Sequence, residues 1–168
     1  MRKTLLLFTT MALALLFAAG TAWAAPLSPT VSTDPAPTPP AGVATNANIK
    51  ATFAEAMKAK SINTDTFYLL PGNFTALKTT APFKNPKRFC ATGTPPVKVE
   101  AGCPAAITAT VTLDATAKIA TLDPTALLTP NTDYTVVVEG TNDGDNVAVK
   151  NTGGTPMAQD FLFHFKTA

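Results

Sequence analysis

The sequence predicts an all-β fold, an antiparallel sandwich of about seven short strands, and three observations carry that expectation. Ile107, Ala109, Val111 and Leu113 alternate with Thr108, Thr110 and Thr112, the period of two expected when one face of a strand meets a core. The same alternation recurs in Val136 and Val138 against Thr135, Val137 and Glu139, and in Phe161, Phe163 and Phe165 against Leu162, His164 and Lys166. Finally, the stretch from Leu127 to Glu139 places Tyr134 where a turn containing Pro130 and Asn131 enters a strand. A tyrosine so placed reads as a tyrosine corner: its ring packs in the core while its hydroxyl bonds backbone a few residues upstream. Leu128, Pro130 and Tyr134 are the structural residues of that corner.

The ends of the chain bound its location. Arg2 and Lys3 precede an almost unbroken apolar run from Leu5 to Ala19, and Ala22-Trp23-Ala24 has the small-x-small form of a signal-peptidase site. That run is short of the about 20 apolar residues a membrane span needs, so residues 1–24 read as a signal peptide and no span is expected after its removal. No cysteine stands directly after the cleavage point, so no lipid anchor is expected. Cleavage after residue 24 of 168 leaves 144 residues, enough for one domain with a core. The thirteen basic residues lose Arg2 and Lys3, leaving eleven against eleven acids and a formal charge of zero. Nucleic acid thereby loses its electrostatic case as a partner.

Residues 25–29 read as an extended, proline-rich leader, and residues 30–168 as one sandwich domain. A short edge strand is expected around Thr30 to Thr33, since the flanking prolines exclude a central one. Ile49 to Phe53 alternates well, and Glu55 to Lys58 suits one helical turn, with Met57 closing the sandwich from below. Thr66 to Leu70 forms the next strand, stopped by Pro71-Gly72. From Pro71 to Ala105 periodicity is weak, and so long a structureless loop is uncommon in a compact domain. This region reads as an insertion stapled by a disulfide between Cys90 and Cys103, the default for two cysteines in an oxidising compartment. After the Ile107–Leu113 strand, Asp114 to Thr116 reads as a turn and Lys118 to Leu122 as a strand whose Ile119 could face either way. A polar connection from Gly140 to Gln159 leads to the closing phenylalanine strand.

These residues resemble a known family. Val31-Ser32-Thr33-Asp34-Pro35, Gly42-Val43 and Ile49-x-x-x-Phe53-x-Glu55-x-Met57 are similar to the opening of SbsA-type bacterial Ig-like domains. Thr66-Phe67-x-Leu69, Thr110-Val111-x-Leu113-Asp114, Leu128-x-Pro130-Asn131-Thr132-x-Tyr134-x-Val136 and Phe163-x-Phe165-x-Thr167 continue it in order, over roughly residues 30 to 167. The resemblance implies an Ig- or fibronectin III-like sandwich found in S-layer proteins, adhesins and large exported enzymes. It implies a place outside the cell and transfers no catalytic residue.

Three clusters invite functional readings, each with a plainer one beside it. Phe83, Lys84, Lys87, Arg88 and Phe89 combine cations and aromatics next to Cys90. A loop tip of that kind could grip an envelope polysaccharide such as an anionic glycan, or another surface protein; the alternative is a solvated loop over packed phenylalanines. Asn142, Asp143 and Asp145 cluster oxygens around a glycine turn, which suits calcium. The twelfth position counted from Asp143 is Gly154 rather than a glutamate, and a plain turn is the other reading. His164, the single histidine, lies opposite the phenylalanine face and is expected at the surface, with no nucleophile to form a triad. No cofactor motif is present. The sequence therefore points to an exported, non-catalytic binding or adhesion module, with a self-assembling envelope component as the alternative.

Overall fold

The computed structural model describes residues 27–37, 42–74, 104–142 and 147–168. Seven strands fill these stretches: β1 (Thr30–Asp34), β2 (Asn48–Thr52), β3 (Phe67–Pro71), β4 (Ala109–Leu113), β5 (Ile119–Pro124), β6 (Asp133–Val138) and β7 (Phe161–Lys166). They form two antiparallel sheets, one ordered β1-β2-β5-β4 and the other β3-β6-β7. Four strands against three, in this order, is the arrangement of a constant-type immunoglobulin sandwich.

The inner faces supply the main core. Ile49 and Ala51 of β2 and Ala120 and Leu122 of β5 meet Phe67, Leu69, Tyr134, Val136 and Val138 of the second sheet. The register follows from this pattern, because Ile49 lies opposite Leu122 and Ala51 opposite Ala120, so a one-residue slip would turn both pairs to the other face. Ala120 and Leu122 are buried while Ile119 is only half-buried, which settles the face that the sequence left open.

β6 departs from the expected one-sided burial. Thr135, Val137 and Glu139 are as buried as Val136 and Val138. The reason is a second apolar cluster on the outer face of the three-stranded sheet, formed by Tyr68, Leu70, Val137 and Leu162, with Phe74 and Ala106 packed against it. Phe74 and Ala106 belong to the described ends of the long connection between β3 and β4. Within this layer the Tyr68 hydroxyl donates to Glu139 Oε1 at 2.6 Å, giving a buried carboxylate a hydrogen bond it needs.

Three other expectations shift. The strand expected from Ile107 begins at Ala109, because Ile107 N–H bonds the Leu69 carbonyl of the opposite sheet at 2.8 Å. No helical turn forms at Glu55 to Lys58; Met57 instead bridges Asn151, and a single 3-10 turn follows at Ala59–Ser61. Met57 is nevertheless fully buried at the base of the sandwich. The connection expected to be simply polar between Gly140 and Gln159 contributes Ala148, Val149 and Met157 to the interior. It is anchored where a Cβ on Gly140 would come within 2.3 Å of the Gln159 carbonyl carbon. Only glycine permits that approach.

The β4–β5 hairpin shows how the turn residues act. Asp114 Oδ1 accepts the N–H groups of Lys118 and Ile119, both at 2.9 Å, and Thr116 Oγ1 donates to Asp114 Oδ2 at 2.6 Å. The Thr116 hydroxyl and then the Ile119 amide favour the carboxylate and hold the Asp114 pKa below its ordinary 3.8. A lowered native pKa gives stability that is present above the unfolded value and is lost as pH falls through the native one. Asp114→Asn keeps an acceptor at Oδ1 but removes the charge. Urea midpoints of the two proteins should therefore differ at neutral pH and converge as pH drops below 3.8. A gap that stays constant across that range would show that the charge does not hold the hairpin.

Candidate functional site

The described part of the sandwich offers three places where polar side chains converge. At one end the chain from β5 to β6 turns through Thr129 to Thr132. Leu128 is 3% exposed and Tyr134 2%, and the Tyr134 hydroxyl accepts the Thr129 N–H at 2.9 Å. The ring stacks on Phe165 with centroids 5.7 Å apart. Pro130 is exposed, and Asn131 takes a left-handed backbone, φ 52°, which asparagine tolerates well. Thr167, buried near the chain's end, closes the turn: its hydroxyl donates to the Thr129 carbonyl at 2.7 Å and accepts the Thr132 N–H at 2.9 Å. Gly42-Val43 runs parallel to the same end of β7, with Val43 N–H bonded to the Lys166 carbonyl at 2.9 Å. The Tyr134, Thr132 and Thr167 hydroxyls of this corner all bond backbone.

On the outer face of the second sheet, His164 Nε2 lies 2.8 Å from Asp133 Oδ1, with the two side chains 28% and 46% exposed. The histidine expected at the open surface is thus half-buried beside a carboxylate. An aspartate can orient an imidazole for base chemistry, but no hydroxyl or thiol is hydrogen-bonded to this ring among the described residues, so no nucleophile is activated there.

At the opposite end, below the base of the sheets, Lys58, Lys60, Ser61, Asn63 and Lys150 line an open cleft of about 320 Å³. A second cleft of about 280 Å³ opens between β3 and β4, lined by Phe67, Ile107 and Ala109 together with Asp65. Sequence reasoning missed the lysine cleft, whose members stand about ninety positions apart in the chain. The one local sign was Lys58-x-Lys60 beside a turn.

Several expected site residues lie outside the described residues: Phe83, Lys84, Lys87, Arg88, Phe89, Cys90, Cys103, Asp143 and Asp145. Asn142 is described, and its side chain is engaged in structure, since Oδ1 accepts the Asp160 N–H at 2.7 Å. Among the described residues no group of three or more His, Cys, Asp and Glu side chains could hold a metal ion. Likewise, among them no helix is long and apolar enough to cross a membrane.

With the four-on-three sandwich established, comparison with known families becomes informative. A family model described as a bacterial Ig-like domain matches residues 27–167. The chain belongs to the bacterial Ig-like domain family. Two solved structures of S-layer proteins are similar to this Ig-like chain. The crystal structure of the S-layer protein rSbsC is 17% identical over 84% of this chain and 14% of that one, with a TM-score of 0.44. A structure of domains 1–6 of surface layer protein SbsC is 17% identical over 82% of this chain and 14% of that one, with a TM-score of 0.41. The chain spans about 14% of the length of the solved structures it matches. No curated protein sequence matches it.

The corner generates a stability test. Tyr134→Phe removes the acceptor of a buried N–H and should cost about 1 kcal/mol or more. Tyr134→Ala also opens the core beside Phe165 and should cost about 3–5 kcal/mol. Denaturant midpoints measure both; an Ala variant as stable as the parent would mean that Tyr134 does not secure the corner.

Proposed function

We propose that this Ig-like chain is an exported, non-catalytic module that binds a polymer or protein at the cell surface or outside the cell. The observation that carries this reading is the match to the bacterial Ig-like family across the sandwich, preceded by a sequence with the form of a signal peptide. The fold supports a binding role physically: two packed sheets form a rigid frame, and loops at its ends can vary without disturbing the core. The Tyr134, Thr132 and Thr167 hydroxyls of the corner serve the backbone, and among the described residues His164 has an orienting carboxylate without a nucleophile. That pattern favours binding over reaction.

The finer parts of the proposal rest on sequence. The order of the motifs supports kinship with SbsA-type modules. Export supports a Cys90–Cys103 disulfide, and the cluster from Phe83 to Phe89 supplies one gripping surface for an envelope polysaccharide or another surface protein.

A structural alternative, a component that assembles with copies of itself, is favoured by one observation. β4 ends its sheet with the run Ala-Thr-Val-Thr-Leu, which carries no proline or charge, and its apolar residues are only half-buried. Edge strands are usually blunted by such groups.

One experiment separates the readings. The mature domain, residues 25–168, is immobilised and exposed to purified envelope polysaccharide and to surface-protein fractions, and its size is followed by chromatography over a range of concentrations. Retention of a polymer or protein by a monomeric domain is the expected result. Concentration-dependent self-association without retention would favour the assembly role, and the absence of both retention and self-association would overturn both readings.

A further inference from the structure

We propose that the base of the sandwich is a second binding site, built from Lys58, Lys60 and Lys150, for a phosphodiester-linked sugar or polyol polymer. It shares no residue with the 83–89 cluster.

The three lysines are brought together by the fold and held there by backbone. Lys58 N–H donates to the Lys150 carbonyl at 2.8 Å. Ser61 sits between the two segments: its Oγ accepts the Lys150 N–H at 2.9 Å and donates to the Lys58 carbonyl at 2.8 Å. Ser61 N–H bonds the same Lys58 carbonyl at 2.8 Å, which places Lys60 on the tight turn between them. Thr66 and Asn63 extend the clasp, with Thr66 Oγ1 donating to the Ser61 carbonyl at 2.7 Å and Asn63 Nδ2 to the Lys60 carbonyl at 3.3 Å. The hydroxyls and amide are spent on the frame, and the three lysines line the cleft.

Those ammonium groups lack partners that comparable lysines have. Lys50 pairs with Asp34 at 2.5 Å, and Lys118 Nζ donates to the Ala54 carbonyl at 3.0 Å. Among the described residues Lys58, Lys60 and Lys150 make no ion pair. Two carboxylates near this end are directed elsewhere: Glu55 accepts from Asn151 Nδ2 at 2.7 Å, and Asp65 lines the other cleft. Three cations with no ion-pair partner among the described residues, around one concave surface, concentrate positive potential there, on a mature chain whose formal charge is zero.

The side chains bear on the kind of anion. Lysine acts as a point charge and is a common phosphate binder, whereas planar bidentate pairing with carboxylate or phosphate is the province of arginine; among the described residues no arginine lines this cleft. At about 320 Å³ it exceeds what a single oxyanion fills and lies at the lower end of the range for small-molecule sites, about 300–1,000 Å³. Among the described residues no aromatic one lines it, and these offer no platform on which nucleic-acid bases would stack.

The test uses the mature chain and poly(glycerol phosphate) by calorimetry at low and moderate salt, with polygalacturonate, neutral dextran and single-stranded DNA of matched charge as competitors. Lys58→Gln/Lys60→Gln/Lys150→Gln should weaken binding about tenfold or more and flatten its salt dependence. Lys50→Gln/Lys118→Gln/Lys166→Gln removes the same charge elsewhere and should leave affinity within about twofold, since contacts outside the site contribute little. In the unmodified chain, NMR shifts on titration should centre on residues 58–63 and 147–150, a readout that no variant's folding can disturb. Equal losses in the two triple variants, shifts spread over the surface, polygalacturonate or DNA binding as tightly, or no binding at low salt would each overturn the proposal.

Discussion

A strand buried on both faces cannot exchange a ladder hydrogen bond for one to water; β3 is one such strand here and β6 another. Of the two, β6 is central in its sheet, paired with β3 on one side and β7 on the other. Tyr134, Val136 and Val138 project into the space between the sheets, while Thr135 and Val137 project into the outer cluster. Burial of each valine contributes about 1.5–3 kcal/mol, so this one strand ties two apolar layers together. Its ends must then be fixed without leaving buried polar groups unbonded. The Tyr134 and Thr167 hydroxyls do so at its start, and Glu139 N–H bonded to the Thr66 carbonyl does so at its finish.

The architecture was legible because each signal was local. Alternation in β4, β6 and β7 and the Pro130–Asn131 turn before Tyr134 all report on residues within one strand or one corner. The outer layer was not legible for the same reason. The alternation of valine with Thr135 and Glu139 looks one-sided until Tyr68, Leu70 and Leu162 arrive from two other strands to cover it. Ala148, Val149 and Met157 passed as parts of a polar connection because their burial depends on bridges to Met57 and between Lys150 and Pro156. Isolated bridges leave no periodic trace. The start of β4 erred by two residues because Ile107 keeps the alternation while its hydrogen bond belongs to the other sheet.

The candidate sites divide along the same line. Clusters contiguous in sequence drew attention first, and most of their residues lie outside the described parts of the molecule. Asn142, the described member of the calcium candidate, is held by the Asp160 backbone, a role that composition does not reveal. The lysine cleft could be found only after folding, since what unites Lys58, Lys60 and Lys150 is a pair of main-chain hydrogen bonds and one serine. His164 was read as open surface because strand alternation tells direction but not what stands beside a residue. Its neighbour Asp133 comes from the adjacent strand, two positions off the direct pairing.

The central claim, that a doubly buried β6 organises both layers, is tested most directly by native-state hydrogen exchange. Amides of Tyr134 to Val138 should exchange only through global unfolding, with an opening free energy equal to that from denaturant, while those at the free edge of β4 open locally at lower cost. If β6 amides exchanged as readily as those of β4, β6 would be a peripheral strand, and the sandwich would have to be organised around the β2–β5 pair instead.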